Sequence, residues 1–329
     1  PSFKDVSNED YSLSDYSVAI GKGISSGAPT TDISGNARPN PQGTNPDIGA
    51  FENSRSVPLE QTKYYVSTSG SSSGSGLLDD PTSSIQNAID FSSNGDTVIV
   101  YPGTYSESIS IQGKGITLGS LFLTTGDTSK VSSTIIDGSN GWGIDIDNSI
   151  SGTIQGTTKI SGLTIKNGNV QNSSTGIGSG VRVFFYDEVV IDRCVIRDNR
   201  DYTGSGISVG EYVNVVKVTN SKIISNENYG GNGAGINVGM NFYSNIGRFE
   251  IRNSIIADNT GANDGGGICS YAETTIIANC TITGNEAGWA SGVCFYNAGG
   301  DSALLINSII SQNSTGGSIS NTQFYQDEN

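Results

Sequence analysis

The chain of 329 residues contains no histidine, which narrows the acid–base chemistry open to it. Ser-His-Asp and Cys-His nucleophiles and histidine-ligated zinc are excluded within this chain. Proton transfer would fall to Asp, Glu, Lys, Arg or Tyr. The densest group of such residues comprises five carboxylates and four arginines: Asp187, Glu188, Asp192, Asp198, Asp201, Arg182, Arg193, Arg197 and Arg200. For this group we favour a solvated face of mixed charge over an active site.

Aromatic rings and two carboxylates are further candidates for ligand contacts. Flat rings on a long β-face suit sugar stacking and equally suit contacts between subunits. The rings concerned are Trp142, Tyr186, Tyr202, Tyr212 and Trp289. Asp32 and Asp47 are the metal-site candidates, although the Asp32–Asn36 stretch lacks the spacing and terminal Glu of an EF-hand loop. We favour a buried ion pair of Arg38 with Asp32 or Asp47 at this place.

The balance of charge excludes several classes of partner. The net charge is −15 and the sequence pI is about 4.3. Nucleic-acid binders need a basic face, and anionic membrane surfaces repel an acidic chain. No apolar stretch is long enough for direct membrane insertion. An acidic chain rich in Gly, Ser and Asn suits an extracellular or bacterial cell-surface location, with Ca²⁺ as a guest or with the acidity serving solubility alone.

A short repeat provides the elements that would position these residues. Five stretches share one pattern that ends in Asn, and the final Asn recurs after 27, 33, 26 and 28 residues. The stretches are Arg193–Asn199, Asn220–Asn226, Asn253–Asn259, Asn279–Asn285 and Asn307–Asn313. Such a period is typical of a solenoid in which neighbouring coils bury a shared core. Short alternating strands without helical pattern between them predict an all-β, right-handed parallel β-helix.

The asparagines form two columns with a structural interpretation. The first is Asn220, Asn253, Asn279 and Asn307, and the second is Asn199, Asn226, Asn259, Asn285 and Asn313. Asn tolerates turn dihedrals and can bond both the turn and the Asn stacked above it. We therefore expect structural ladders, in preference to a polar strip that reads a ligand.

The four cysteines show no metal-site spacing. Cys194 and Cys280 occupy the same column three coils apart, roughly 14 Å, which is too far for a disulfide. Cys269 and Cys294 occupy equivalent positions in adjacent coils, and the sequence leaves open whether they form a disulfide.

Three regions follow along the chain. Residues 1–56 are interpreted as a loop-rich closing segment, and residues 57–80 as a linker with a first strand. Residues 81–329 form the predicted β-helix, in which an amphipathic helix at 81–91 caps the first coil.

Two sets of motifs resemble known families. Lys63–Gly70, Pro81–Phe91 and Gly95–Tyr105 resemble the first segment of right-handed parallel β-helix proteins of the pectate-lyase-like superfamily. Asp10–Gly23, followed by Thr31–Arg38 and Pro46–Glu52, resembles the choice-of-anchor segment that closes bacterial surface β-helices. In that family the closing segment follows the last coil, whereas here it precedes the first.

The superfamily resemblance implies a possible chemistry, in which carboxylates hold calcium and an Arg or Lys removes the C5 proton of a uronate. Lys166 and Arg197 share an outward column in adjacent coils, and Asp198 follows Arg197, so these three would be the catalytic residues of a lyase. Beyond Arg197 the column continues without carboxylates, as Ile224, Ala257, Thr283 and Ser311. No catalytic residue is therefore assigned.

The inverted order of closing segment and coils suggests a tandem array. Joined end to start, Asp-Glu-Asn329 and Pro1-Ser-Phe-Lys-Asp5 resemble the family's passage from the last coil into the closing segment. The chain would then be one period of a longer array, with neighbouring copies as head-to-tail partners. An excerpt or cleavage product without an array is the alternative.

The sequence thus predicts a structural, adhesive extracellular unit of a cell-surface fibre or giant adhesin, which requires no cofactor. One alternative is a calcium-dependent polysaccharide lyase or a related uronate-active enzyme. Another is a glycan-binding module without catalysis, which has polysaccharide as its ligand.

Overall fold

The computed structural model describes residues 3–5, 9–139, 141–149, 154–170, 178–239, 245–296 and 302–315. The chain divides into two compact units, Pro1–Thr62 and Lys63–Asn329. The larger unit is a right-handed parallel β-helix, so the predicted fold class is confirmed. The join between the chain ends, on which the tandem array was predicted, lies largely outside the described residues.

Three parallel sheets form the wall of the β-helix. The first sheet has nine strands: Lys63–Ser71, Thr97–Val100, Thr117–Ser120, Ile154–Ser161, Tyr186–Asp192, Val213–Thr219, Ile246–Arg252, Thr274–Ala278 and Ser302–Ile306. The second sheet has eight: Gly103–Tyr105, Thr134–Asp137, Thr164–Lys166, Val195–Arg197, Lys222–Ile224, Ile255–Ala257, Thr281–Thr283 and Ile309–Ser311. The third sheet has seven: Ile109–Ile111, Ile144–Asp147, Val181–Phe184, Ile207–Val209, Ile236–Val238, Ile268–Ser270 and Val293–Phe295.

Two short parallel pairs extend the turns that follow the second sheet. Arg200–Asp201 pairs with Glu227–Asn228, and Glu286–Ala287 pairs with Ser314–Thr315. These pairs hold the turns of neighbouring coils in register.

Inward side chains stack into aliphatic columns along the axis of the β-helix. In the second sheet the column is in register from coil to coil: Tyr105, Ile136, Ile165, Ile196, Ile223, Ile256, Ile282 and Ile310. All but Ile310 are buried. Because successive strand residues face opposite sides, the residues flanking each of these point outward. Each fully buried side chain contributes about 1.5–3 kcal/mol, so the columns supply most of the stabilisation between coils.

Helix α1 spans Ile85–Phe91, which is shorter at its start than the predicted 81–91. Thr82 instead bridges to the first strand, at Val66 and Ser71. The helix begins after Ser84, whose Oγ accepts a hydrogen bond from the Asn87 main-chain N–H at 3.2 Å. Its buried residues Ile85, Ala88 and Ile89 join the main core. Helices α2 (Phe122–Thr125) and α3 (Ser129–Ser133) are single turns on the surface. Among the described residues, no helix is long and apolar enough to cross a bilayer.

The second asparagine column forms a continuous ladder of hydrogen bonds. The main-chain N–H and the side-chain Nδ2 of each Asn both donate to Oδ1 of the next, at 2.8–3.1 Å along the series. The Nδ2 groups also donate to core-strand carbonyls, as from Asn259 to Ile223 at 3.0 Å. The four members from Asn199 to Asn285 are almost completely buried. The ladder therefore satisfies turn groups that no sheet can reach.

The first asparagine column works through its backbone instead. Asn220, Asn253, Asn279 and Asn307 all adopt left-handed φ values of 44–53°, a conformation that Asn tolerates better than most residues. No ladder of side-chain bonds among these four is present in the described part of the chain, so the predicted ladder is wrong for this column.

The smaller unit consists mostly of turns. Its antiparallel pair joins Phe3–Asp5 to Asp10–Leu13, and Leu13, Ala19 and Ile20 form a small core.

Candidate functional site

Lys166 and Arg197 are in-register neighbours on the second sheet, at the outward position of adjacent strands. Lys166 Nζ lies 3.3 Å from Asp137 Oδ2, and Arg197 forms an ion pair with Asp198. Both residues of the Arg197–Asp198 pair are about two-fifths exposed. The three residues considered for lyase chemistry are therefore close together on one open face.

Asp137 is the residue of this face that sequence reasoning missed. It precedes Lys166 in the same column, one coil earlier. Burial acts to raise its pKa, but hydrogen bonds from Ser139, Asn167 and Lys166 outweigh that effect and lower it. The strand motif Thr134–Asp137 follows the repeat and was the available signal. The carboxylate of this column lies before Lys166, and none follows Arg197.

The charged group between 182 and 201 does not form one site, because its members lie on different faces. Glu188 and Asp192 lie on the first sheet, and Arg197 lies on the second. Arg182 lies on the third sheet, and Asp201 lies in the turn pair after the second. Successive strands of one coil belong to different sheets, so nearness along the chain does not bring their side chains together.

Arg182 belongs to a closed cluster of its own. Its Nη1 lies 2.7 Å from Asp145 Oδ1 and 3.1 Å from Asp147 Oδ2. Its guanidinium also lies over the Phe184 ring, at 4.3 Å from the centroid, and near Trp142. Burial raises the pKa of Asp145, an effect that Arg182 opposes. Because Arg182 pairs with two carboxylates of the adjacent coil, the cluster acts as a structural tie between coils.

We call the outward surface of the first sheet between strands Ile154–Ser161 and Ile246–Arg252 the cationic face. It carries five cations paired with three carboxylates: Lys159, Arg193, Lys217, Arg248 and Arg252 with Glu188, Asp192 and Glu250. A fourth carboxylate, Asp187, accepts a hydrogen bond from Asn214 Nδ2 at 2.8 Å. The ion pairs include Lys217 Nζ to Glu188 Oε1 at 2.5 Å and Arg248 Nη2 to Glu250 Oε2 at 2.9 Å. Asp192 Oδ2 accepts a hydrogen bond from Arg193 Nη1 at 2.7 Å and lies 3.9 Å from Lys159 Nζ.

The cations of this face lie outermost. Their side chains keep 37–43% of their surface exposed, whereas the three carboxylates keep only 8–28%. Hydrogen bonds from Lys217 and Thr157 lower the pKa of Glu188. The pKa of Glu250 is also lowered, because bonds from Arg252 and Arg248 outweigh its burial. A ligand that approaches the sheet therefore meets positive charge first.

The sequence shows the same asymmetry in its distribution of charge. Ten of the 17 Lys and Arg residues lie between Lys159 and Arg252, together with only eight of the 32 carboxylates. This segment is net positive in a chain whose net charge is −15. The central coils thus form a basic zone within an acidic protein.

Tyr202, Tyr229 and Trp289 form what we call the aromatic edge, on the turns that follow the second sheet. The Tyr202 and Tyr229 rings lie 5.8 Å apart, edge to face. Further along, Asn263 Nδ2 donates to the Gly230 carbonyl, and the main-chain N–H of Trp289 donates to the Asn263 carbonyl. Tyr202 is 41% exposed, Tyr229 43% and Trp289 60%. Tyr202 and Tyr229 lie on adjacent turns, and Trp289 lies two turns further on, so these exposed rings offer separate stacking surfaces to a ligand.

The other predicted aromatic contacts have different outcomes. Tyr186 is completely buried and donates its hydroxyl to the Lys114 carbonyl at 2.9 Å, so the prediction that it contacts a glycan is wrong. It lies in the core three residues before Val189, a spacing that departs from the strict alternation of a strand, so alternation could not have placed it inward. Tyr212 is exposed and stacks on Phe185 at 5.4 Å. Trp142 lies beside Arg182.

The carboxylates of the smaller unit bind backbone groups. Asp32 accepts hydrogen bonds from the Ser34, Asn36 and Glu52 main-chain N–H groups and from Asn36 Nδ2. Burial acts to raise its pKa, but these donors outweigh it and lower the pKa to about 2. Asp47 accepts from the N–H groups of Gly21 and Asn53. Both residues therefore have a structural role in place of the predicted metal-binding one.

Arg38 forms an ion pair with a different carboxylate from those predicted. Its Nε lies 2.7 Å from Glu52 Oε1. Glu52 also accepts the N–H groups of Asn40 and Asp47, so it ties three turns together. Its position beside Phe51 in the Asp47–Glu52 run gave no sequence signal that distinguished it from Asp32 or Asp47.

The residues present do not fit the calcium site that the family resemblance implied. Among the described residues, no three His, Cys, Asp or Glu side chains are grouped so that they could hold a metal ion. On the cationic face, Glu188, Asp192 and Glu250 are each paired with a cation.

No protein-family model matches the chain, and no curated protein matches it. Among solved structures, it is similar to a pectin methylesterase from Aspergillus niger, with 14% identity, coverage of 81% of this chain and 90% of that one, and a TM-score of 0.37. It is also similar to a pectate lyase, with 13% identity, 78% of each chain covered and a TM-score of 0.35. A rhamnogalacturonan lyase shows 14% identity over 76% of this chain and 87% of its own, with a TM-score of 0.26. At these identities the likeness concerns the β-helix fold alone.

Proposed function

We propose that the β-helix binds an acidic polysaccharide, of the uronate type, on the cationic face. The observation that carries this proposal is the layering of five half-exposed cations over three covered carboxylates. The carboxylates hold the cationic side chains in place, and the cations remain free to bond a ligand at the solvent side. Arg in particular matches a carboxylate with two parallel hydrogen bonds.

The repeating geometry suits a polymer. In-register strands place Lys217, Glu250 and their neighbours at intervals of about 4.8 Å along the β-helix axis. A chain of uronate units laid along this axis would meet a cation at successive coils. The aromatic edge would add stacking contacts that do not depend on the charge of the sugar.

Binding to polygalacturonate, alginate and a neutral dextran tests the proposal. Affinity electrophoresis of the purified chain should show retardation by the two acidic polymers, which weakens as salt is raised. Equal retardation by dextran, or none by either acidic polymer up to saturating concentration, would refute it.

A matched pair of variants localises the binding. Lys217→Gln with Arg248→Gln should weaken binding to polygalacturonate about tenfold, because two charge-assisted contacts are lost. Lys4→Gln with Lys22→Gln removes the same charge from the smaller unit and should have little effect. Equal losses in the two double variants would show that only net charge matters.

Uronate elimination is a second candidate function, favoured by the adjacency of Lys166 and Arg197 with Asp137 and Asp198 nearby. An assay for ultraviolet absorbance of an unsaturated product, on pectate or alginate with and without added calcium, tests it. If product forms, Arg197→Ala should abolish it, whereas Arg200→Ala should not.

The adhesive role in a tandem array, the head-to-tail partners and the extracellular location remain proposals. The flanking gene sequence tests the array directly, since a single β-helix without a second copy would refute it.

A further inference from the structure

Cys269 and Cys294 are paired residues on adjacent strands of the third sheet. Ile268 and Val293, which precede them, belong to the core, so both thiols point to the outer face. They are nevertheless covered, with Cys269 fully buried and Cys294 9% exposed. The turn at Gly265 lies close over Cys269. A Cβ atom placed on Gly265 would lie 2.8 Å from the Cβ atom of Cys269.

The tyrosines that follow the two cysteines by two residues, Tyr271 and Tyr296, take part in hydrogen bonds. The Asn232 Nδ2 lies 3.3 Å from the Tyr271 hydroxyl. The Tyr296 hydroxyl donates to Asp264. The rings of Tyr271 and Tyr296 stack face to face at 4.5 Å and form one wall of the site.

We propose that Cys269 and Cys294 form a dithiolate site for one soft monovalent cation of the Cu(I) type. Thiolates select such cations over hard ones. Two sulfur ligands on opposite sides satisfy a cation that accepts linear coordination. The site is independent of the cationic face and of the polysaccharide-binding function.

The reaction balances without any change of oxidation state. Two S–H bonds break, two metal–sulfur bonds form, and two protons leave to solvent, which gives a bis-thiolate complex with one negative charge. The cation enters and remains monovalent.

The pairing geometry favours a bridging ion over a disulfide. In-register parallel neighbours are about 4.8 Å apart with parallel side-chain directions. A disulfide requires Cβ atoms about 3.8 Å apart and convergent side chains. An ion held between the sulfurs needs no such approach of the two strands.

Anaerobic titration of the reduced full chain with Cu(I) in acetonitrile tests the proposal. We expect native mass spectrometry to show one copper per chain with the loss of two protons. A thiolate-to-copper absorption band in the ultraviolet should saturate at one equivalent. Iodoacetamide labelling of Cys294 under mild denaturation should fall once copper is bound.

Single substitutions provide the controls. Cys269→Ser and Cys294→Ser should each lower the affinity at least a hundredfold and abolish the band. Cys194→Ser and Cys280→Ser remove buried thiols that bond to main-chain carbonyls, and should leave binding unchanged. Circular dichroism checks that all four variants keep the β-helix.

Three results would overturn the proposal. One is the absence of stoichiometric copper in the reduced wild-type chain. Another is binding that survives both Cys269→Ser and Cys294→Ser. The third is a quantitative loss of both thiols in a glutathione redox buffer, with a mass decrease of two hydrogen atoms that are transferred to glutathione disulfide, which would identify the pair as a disulfide.

Discussion

Asn226 Oδ1 accepts two hydrogen bonds from Asn199, from the main-chain N–H at 3.1 Å and from Nδ2 at 2.9 Å. The same contact recurs at every described step of the column to Asn313. A buried turn in each coil is thus completed by a side chain from the next coil. This explains why the repeat ends in Asn, because Ser or Asp lacks the combination of one acceptor and two donors.

Loss of one rung should therefore be costly. Asn226→Ala leaves the main-chain N–H of Asn199 and the carbonyl of Ile196 without these partners in a buried place. We expect the free energy of unfolding to fall by at least about 2 kcal/mol. Asn253→Gly changes an exposed left-handed position of the other column and should lower the free energy of unfolding by a few tenths of a kcal/mol at most. Equal losses in urea denaturation would contradict the distinct roles assigned to the two columns.

The cationic face and the aromatic edge should affect binding in different ways. Trp289→Ala and Tyr229→Ala should each lower affinity for acidic and neutral glycans alike, by roughly threefold to tenfold, with little salt dependence. Lys217→Gln with Arg248→Gln should affect acidic glycans alone. Tyr186→Phe, which changes a buried hydroxyl, serves as the control and should leave binding intact. Salt-dependent losses in Trp289→Ala would refute this separation.

Asp32 should make the smaller unit sensitive to acid. Its pKa is lowered to about 2 from an ordinary 3.8. Between these two pH values the folded state therefore binds fewer protons than the unfolded state. The contribution of Asp32 is therefore present above about pH 4 and is lost as pH falls towards 2. Hydrogen exchange of peptides 30–53, corrected for intrinsic rates, should show this loss of protection.

Asp32→Asn should weaken the same peptides at neutral pH, since an amide cannot accept all four hydrogen bonds. We expect a cost of about 1–3 kcal/mol. Glu60→Gln, at an exposed position of the same unit, is the matched control. Unchanged protection in Asp32→Asn would show that the turn does not depend on the carboxylate.

Asp201 should have the opposite effect to Asp32 and make the fold more stable at acid pH than at neutral pH. It is fully buried, its Oδ2 accepts no bond from the described residues, and burial raises its pKa to about 6. The folded state then binds more protons than the unfolded state between about pH 4 and 6. The free energy of unfolding of the β-helix should therefore fall as pH rises through this window, by no more than about 3 kcal/mol.

Asp201→Asn tests this dependence, because it removes the titrating group. The slope of stability against pH between 4 and 6 should flatten in urea titrations of the variant. Glu273→Gln, at an exposed position, should leave the slope unchanged. An unaltered slope in Asp201→Asn would assign the dependence to another group.

The repeat predicted the β-helix because register and burial follow the same period. Once Ile196 and Ile223 are aligned by their Asn-terminated motifs, the alternation of each strand places them in the core. The adjacency of Lys166 and Arg197 followed from the same alignment. The start of helix α1 did not, since the pairing of Thr82 with Val66 and Ser71 overrides the local propensity of Pro81–Ser84.

Alignment of the repeats could not predict contacts made by turns that lie outside the repeated pattern. Three carboxylates lie within 14 residues of Arg38 in the sequence, and it is the folding of the turns that brings Glu52 into contact with it. Asp201 follows Arg200 in the sequence, yet it is buried while Arg200 is about half exposed. Turn geometry outside the repeat decides these positions, and no periodicity reports it.

The sequence by itself determined the coil, its core and its turns, because each depends on neighbours one period away. The tertiary structure alone decided which charges share a surface. It separated Arg182, Asp192 and Arg197 onto three faces, and it gathered Lys159, Lys217 and Arg248 from three coils onto one. The reason is physical, since a β-helix brings together residues that are one coil apart and separates those that are a few residues apart.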